Sequence, residues 1–151
     1  MTAPLRLTLR RTRTDAVQSP DAVELRMQSQ VTDVEAAVEL VARHCFAGQQ
    51  PCSRTTFRLR VALAEALSNA ILRGNREDPS KQVWVLAELY PEVVRIAVRD
   101  EGDGFDPDGE PPAPEALEAE SGRGLFIIRN LADRVEFNER GNTIWMTLPR
   151  C

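Results

Sequence analysis

Val83-Trp84-Val85-Leu86-Ala87-Glu88-Leu89, then Tyr90-Pro91-Glu92, then Val93-Val94-Arg95-Ile96-Ala97-Val98-Arg99 is the stretch that decides the fold. The second apolar run alternates as a strand does, and the connection is short enough to make the pair a β-hairpin. On its N-terminal side, Ser53 to about Leu72 reads as a helix with Leu59, Leu63, Ala66, Leu67 and Ala70 on its apolar face. Gly74 and Asn75 are its stop signals, with Pro79 beyond. Before it, Thr32 or Asp33 is placed to cap a helix running to about Phe46, with Val34, Val38 and Val41 on one side; the stretch from Gly48 to Pro51 ends it. Ala22 to Met27 alternates as a strand. On the C-terminal side, residues 102–122 form a long acidic loop with four prolines (Pro107, Pro111, Pro112 and Pro114), in which Pro114 to Glu120 has room for a helical turn or two. Gly124 to Ala132 reads as a helix. Two strands follow, Arg134 to Asn138 and Thr143 to Leu148, around a turn at Gly141-Asn142. Strands that come in hairpins imply an α+β two-layer sandwich: a mixed, mostly antiparallel sheet with helices on one face.

A chain of 151 residues is of single-domain size. Residues 1–21 read as an N-terminal extension, Arg/Thr-rich, with one strand (Leu5, Leu7 and Leu9 on one face) and then a mobile segment; residues 22–151 form the domain. The net charge of −4, from 19 basic and 23 acidic side chains, argues against a dedicated nucleic-acid binder. Cys45, Cys52 and Cys151 match neither a disulfide framework nor a zinc pattern. Cys45 is expected in the core, Cys151 exposed, and His44 at a helix end without metal partners. No apolar run reaches the ~18 residues of a membrane span, and the N-terminus lacks a signal-peptide pattern. Neither a membrane nor a nucleic acid is therefore expected as a partner, and a cytoplasmic location is expected by default.

Three motifs carry the chemistry. Directly after the hairpin, Asp100-Glu101-Gly102-Asp103-Gly104-Phe105 places an acid and two closely spaced glycines at a strand end. Glycine lets backbone approach a flat or charged ligand, and the acid can accept a hydrogen bond from it. Taken alone, the stretch reads equally as an acidic turn. On the second helix, Glu65, Asn69 and Arg73 recur every four residues and so share one side at ~3.6 residues per turn. Such a row can be a solvated face, yet Asn is a poor mid-helix residue whose amide competes for backbone hydrogen bonds. A magnesium ligand is one reason to place it there, and a carboxylate one turn away could take a proton from an attacking hydroxyl. Third, Ser121-Gly122-Arg123-Gly124-Leu125 stands at the mouth of a helix. Free backbone N–H groups there suit phosphate, with Arg123 as a further contact; the plain alternative is a helix start after a loop. Together the three motifs outline a nucleotide site, without a Walker A, dinucleotide or protein-kinase signature.

Glu65-Ala66-Leu67-Ser68-Asn69-Ala70, Asp100 to Phe105, and Gly122-Arg123-Gly124-Leu125-Phe126-Ile127-Ile128 resemble the N box and the two glycine boxes of the GHKL ATPase superfamily. The resemblance is greatest to its bacterial anti-sigma-factor serine kinase branch and covers residues 22 to 149. It implies a Bergerat ATP-binding fold with ATP and Mg2+ as cofactors. Asn69 would bind the magnesium and Glu65 act as general base. Asp100 would accept the adenine amino group, with Gly102 and Gly104 lining the base pocket. Gly122 and Gly124 would contact phosphates, and Thr143 would reach the adenine side. Many relatives carry His where this chain has Arg73, which could still touch phosphate.

The resemblance further implies an ATP-dependent protein-serine kinase acting as an anti-sigma factor in a partner-switching circuit. It would phosphorylate a STAS-domain anti-anti-sigma protein, bind a sigma factor, and form a homodimer. The alternative is a non-catalytic, nucleotide-dependent anti-sigma binding module; intact Glu65 and Asn69 favour the kinase. Glu101 and Asp103 are assigned no role.

Overall fold

The computed structural model describes residues 6–10, 21–46, 52–103 and 120–150, with residues 6–10 and 120–123 described by backbone alone. Residues 1–5, 11–20, 47–51, 104–119 and 151 lie outside them, and with them Leu5, the helix stop expected from Gly48 to Pro51, Gly104 and Cys151. The elements are β1 (Arg6–Arg10), β2 (Asp21–Gln28), α1 (Val34–Cys45), α2 (Ser53–Asn69), β3 (Gln82–Leu89), β4 (Val93–Arg99), α3 (Glu120–Leu131), β5 (Arg134–Phe137) and β6 (Thr143–Pro149). The strands form one six-stranded sheet in the order β1-β2-β3-β4-β6-β5. Every neighbouring pair is antiparallel.

Alternation in the central strands sets the two faces. Val83, Val85 and Ala87 of β3, Val94, Ile96 and Val98 of β4, and Met146 and Leu148 of β6 are buried. They face the helices, where Val41 of α1, Leu59, Leu63 and Leu67 of α2, and Ile128 of α3 complete the core. Each fully buried side chain of this kind stabilises the fold by about 1.5–3 kcal/mol relative to exposure. α1 packs on β2 and β3, α2 on β4 and β6, and α3 against α2 and β5. The result is the two-layer α+β sandwich anticipated from the hairpins.

The other face of the sheet carries no helix among the described residues. Trp84 and Arg99 stand opposite each other there, the guanidinium 4.4 Å from the ring centre. Arg95 lies at the same distance over Trp145. Such cation–π stacking covers the indoles and limits the apolar surface that the open face shows to water.

Three local details differ from expectation. Asp33 precedes α1 but makes no side-chain cap; a 3-10 turn over Val31–Asp33 leads into the helix instead. The cap of α2 is Cys52, whose Sγ accepts from the Thr55 N–H at 3.4 Å. Cys52 is also disulfide-bonded, whereas Cys45 is free and buried. Spacing along the chain could not indicate a disulfide because the relevant proximity is tertiary. The Thr55 hydroxyl donates to the Pro149 carbonyl at 3.0 Å, which brings the start of α2 to the end of the last strand.

Candidate functional site

α2 turns Leu59, Ala62, Leu63, Ala66 and Leu67 into the core. Glu65 and Asn69 flank that apolar face, one turn apart and half-buried. Gly124 of α3 lies against both of them. A Cβ at Gly124 would stand 3.0 Å from Glu65 Oε2, 3.0 Å from Asn69 Nδ2 and 3.2 Å from Asn69 Oδ1. The polar ends of the base candidate and the metal candidate therefore meet at one point, under a glycine whose missing side chain leaves them room.

The four-residue stripe does not continue to Arg73. The helix widens after Asn69 into a π-turn over Ala70–Gly74, with the Asn75 N–H donating to the Ala70 carbonyl at 2.8 Å. The extra residue in that turn breaks the angular register, and Arg73 ends up exposed. The π-turn also aims Gly74 at the end of β4. A Cβ on Gly74 would collide with the Asp100 carboxyl, and one on Gly102 would collide with the Gly74 carbonyl. Gly74, Asp100 and Gly102 thus form a cradle in which backbone and carboxyl pack without intervening side chains.

Asp100 leaves β4 on the helix side of the sheet, half-buried. Its Oδ1 accepts from the Gly102 N–H at 2.7 Å. Burial pushes its carboxyl above the ordinary value of 3.8; the Gly102 N–H and the charge of Lys81 pull the other way and do not overcome it. An acid held this way, with one oxygen engaged and the other left as acceptor, suits an exocyclic amino group on a flat ring.

Other expected positions are arranged differently. Gly122 and Arg123 lie inside α3, which starts at Glu120 rather than after the glycines. Gly122 is within the first turn, whose N–H groups have no partner inside the helix; Gly124 sits two residues further in, and what it adds is the close approach to α2. Thr143 stands opposite Arg99, on the face away from the helices. Its neighbour Asn142 reaches Asp100 instead: the Asn142 carbonyl accepts from the Asp100 N–H at 3.0 Å, and Asn142 Nδ2 donates to the Asp100 carbonyl at 3.4 Å. Alternation along β6 accounts for the exchange, since a one-residue step reverses the face. Glu101, given no role above, accepts from the Gln82 N–H at 2.6 Å through Oε2. Gly74 and Asn75 were legible as a helix stop, but their part in the cradle was not.

The donor set matches a hard cation that keeps most of its water. An amide oxygen and a carboxylate oxygen converge at Asn69 and Glu65, and no cluster of three or more His, Cys, Asp or Glu able to hold a metal occurs among the described residues. Among the described residues, no helix is long and apolar enough to cross a membrane.

A profile of the family described as Histidine kinase-like ATPase domain matches residues 20–148. The chain is 29 % identical over 124 residues to the anti-sigma F factor of Oceanobacillus iheyensis, spanning 78 % of this chain and 85 % of that protein. It is 30 % identical over 138 residues to the anti-sigma F factor of Geobacillus stearothermophilus, spanning 85 % and 93 %. To the serine-protein kinase RsbW of Bacillus subtilis it is 32 % identical over 98 residues, spanning 59 % of this chain and 61 % of that protein.

Proposed function

The chain belongs to the family of histidine kinase-like ATPase domains, and from that premise we propose that it is an ATP-dependent protein-serine kinase acting as an anti-sigma factor. Its phosphoryl acceptor in this reading is a serine on a STAS-domain anti-anti-sigma protein, its second partner is a sigma factor, and it works as a homodimer. The observation that carries the catalytic part is the meeting of Glu65, Asn69 and Gly124. It joins a carboxylate, an amide oxygen and the first turns of a helix where a triphosphate would end. The names of the relatives above, anti-sigma F factor and serine-protein kinase, agree with both halves of the proposal.

In this mechanism the adenine ring lies over Gly102 with its amino group on Asp100. Gly122, at the start of α3, offers backbone N–H to the phosphates, with Arg123 alongside. Asn69 would hold the magnesium, which when bound neutralises charge on the phosphate oxygens. Glu65 accepts the proton of the attacking serine hydroxyl as its oxygen bonds to the γ-phosphorus, while the bond to the bridging oxygen breaks and ADP leaves. Phosphoryl transfer asks little covalent help of the protein, so placement and charge supply most of the acceleration. Gly104 belongs to the same pocket in this reading, and Arg73, exposed at the end of the π-turn, is the peripheral phosphate contact. Thr143, on the far face, has no contact with adenine in this reading, and its neighbour Asn142 holds the Asp100 backbone.

The test is incubation with labelled ATP, magnesium and a STAS protein encoded nearby. Phosphoserine should appear on the partner, and Glu65→Gln should lower transfer by about 100-fold or more while ATP affinity changes little. Transfer at the unmutated rate would remove Glu65 from the mechanism. Binding of the partner without any phosphoserine would make the protein a non-catalytic anti-sigma module.

A further inference from the structure

Asn75 is fully buried, at 0 % exposure, directly beyond Gly74. Three of the four hydrogen-bonding positions of its side-chain amide are taken. Nδ2 donates to Ser29 Oγ at 2.7 Å and to the Gln82 carbonyl at 2.9 Å. Oδ1 accepts from the Glu101 N–H at 2.8 Å. One side chain thereby joins the segment after β2, the π-turn, the start of β3 and the loop that follows β4. Glu101 closes the ring from outside, its carboxylate accepting from the Gln82 N–H.

Position and strain both indicate more than filling. The two residues after Asn75, Arg76 and Glu77, have φ of 51° and 57°. The left-handed region costs a residue with a side chain roughly 1–2 kcal/mol, so consecutive occupants need a firm anchor. The Asn75 carbonyl accepts from the Asp78 N–H at 3.0 Å, which closes that turn on the anchor itself. On its other side, Asn75 grips the backbone of the residue between Asp100 and Gly102. The depth at which Asp100 and Gly102 sit against Gly74 is therefore set through this amide.

We infer that Asn75 is a positioning residue for base recognition: with Glu101 as its outer clamp, it holds the loop after β4 so that the free oxygen of Asp100 meets the adenine amino group. The inference rests on the adenine pocket proposed above. It predicts a loss of discrimination between bases, which a purely structural asparagine would not cause.

The experiment is calorimetric binding of ATP and of GTP to the full chain and its variants, with thermal unfolding measured in parallel. Asn75→Ala should reduce the ratio of ATP to GTP affinity by ~10-fold, because a small misplacement of a recognition group is costly. Ser29→Ala removes one partner of the amide but not its hold on Glu101, and should leave the ratio within about twofold. Glu101→Ala, at an exposed site that tolerates substitution, should lower the ratio in the same direction as Asn75→Ala and serves if the latter fails to fold. An unchanged ratio in Glu101→Ala, or in a folded Asn75→Ala whose ATP and GTP affinities fall equally, would overturn the positioning role. If the unmutated protein does not distinguish ATP from GTP, the pocket reading itself fails and takes this one with it. If it does distinguish them and Asp100→Asn abolishes the distinction, the pocket stands and the Asn75 result is decisive alone.

Discussion

At the scale of single residues, Asp100, as the proposed base-reading acid, would set recognition against stability. Burial raises its carboxyl, so the folded state disfavours the charged form relative to the unfolded chain. The sign follows from linkage: this group weighs least on stability below its ordinary value of 3.8, and stability is lost as pH rises through the raised value. Asp100→Asn keeps an oxygen for the Gly102 N–H and cannot ionise. The nucleotide-free variant should therefore unfold at a higher temperature than the unmutated protein at pH 7, and the difference should shrink as both are titrated into acid. ATP affinity should fall by roughly 10–100-fold, the worth of a hydrogen bond to a charged acceptor. Melting curves across pH with one binding isotherm check both halves. Asn69 stood out in the sequence because a mid-helix asparagine needs a reason, whereas Glu65 and Asp100 became candidates only when the three motifs were taken together. Asn75 and Glu101 were not legible there. The partners of the Asn75 amide lie 46, 7 and 26 positions away, and no local pattern encodes a hydrogen bond at those separations.

At the scale of elements, the contact between α2 and α3 depends on a hydrogen atom where other residues carry a methyl group. Gly124→Ala improves helix propensity by about 1 kcal/mol, so stability should hold or rise slightly. The added methyl would lie 3.0 Å from Glu65 Oε2 and Asn69 Nδ2, closer than an ordinary contact. Phosphoryl transfer should fall by about 10-fold or more as the two side chains are displaced. A stable variant with undiminished transfer would show that α3 does not shape the catalytic end. The start of α3 was misread for a related reason: glycine is a poor helix former, and a pair of them looks like the end of a loop rather than part of the first turns. The π-turn left no trace in the sequence either, since Ala70 and Ile71 carry the apolar pattern of α2 straight into it. Strand limits fared better, because hairpin turns and alternation mark both ends of β3 and β4.

At the scale of the whole molecule, α2 joins the other helices to the centre of the sheet. It packs on β4 and β6, touches α1 and α3, and carries the two catalytic candidates. Arg60 of α2 also pairs with Glu39 of α1 at the surface, a contact that lowers the Glu39 carboxyl but contributes little stability at such exposure. The core beneath matters far more. Leu63→Ala, at a position with no exposure, should cost about 2–5 kcal/mol in urea unfolding. Because Leu63 points into the core, two residues before Glu65 and away from the proposed site, the folded fraction should keep most of its transfer rate once corrected for unfolded protein. The layered architecture could be foreseen because the order of hairpins and helices leaves few alternatives. The membership of β1 was harder to weigh: five residues pair with β2 at one edge, across a segment with no strong pattern of its own.

The open face of the sheet has a practical consequence. The chain has only two indoles, Trp84 and Trp145, and both lie on the side of the sheet turned away from the helices. Ultraviolet emission from this protein is therefore a view from behind the sheet. It follows whether β3, β4 and β6 hold together, and a nucleotide on the helix side can reach the fluorophores only by deforming those strands. Emission is the natural gauge of folding here, and occupancy calls for a label carried by the ligand.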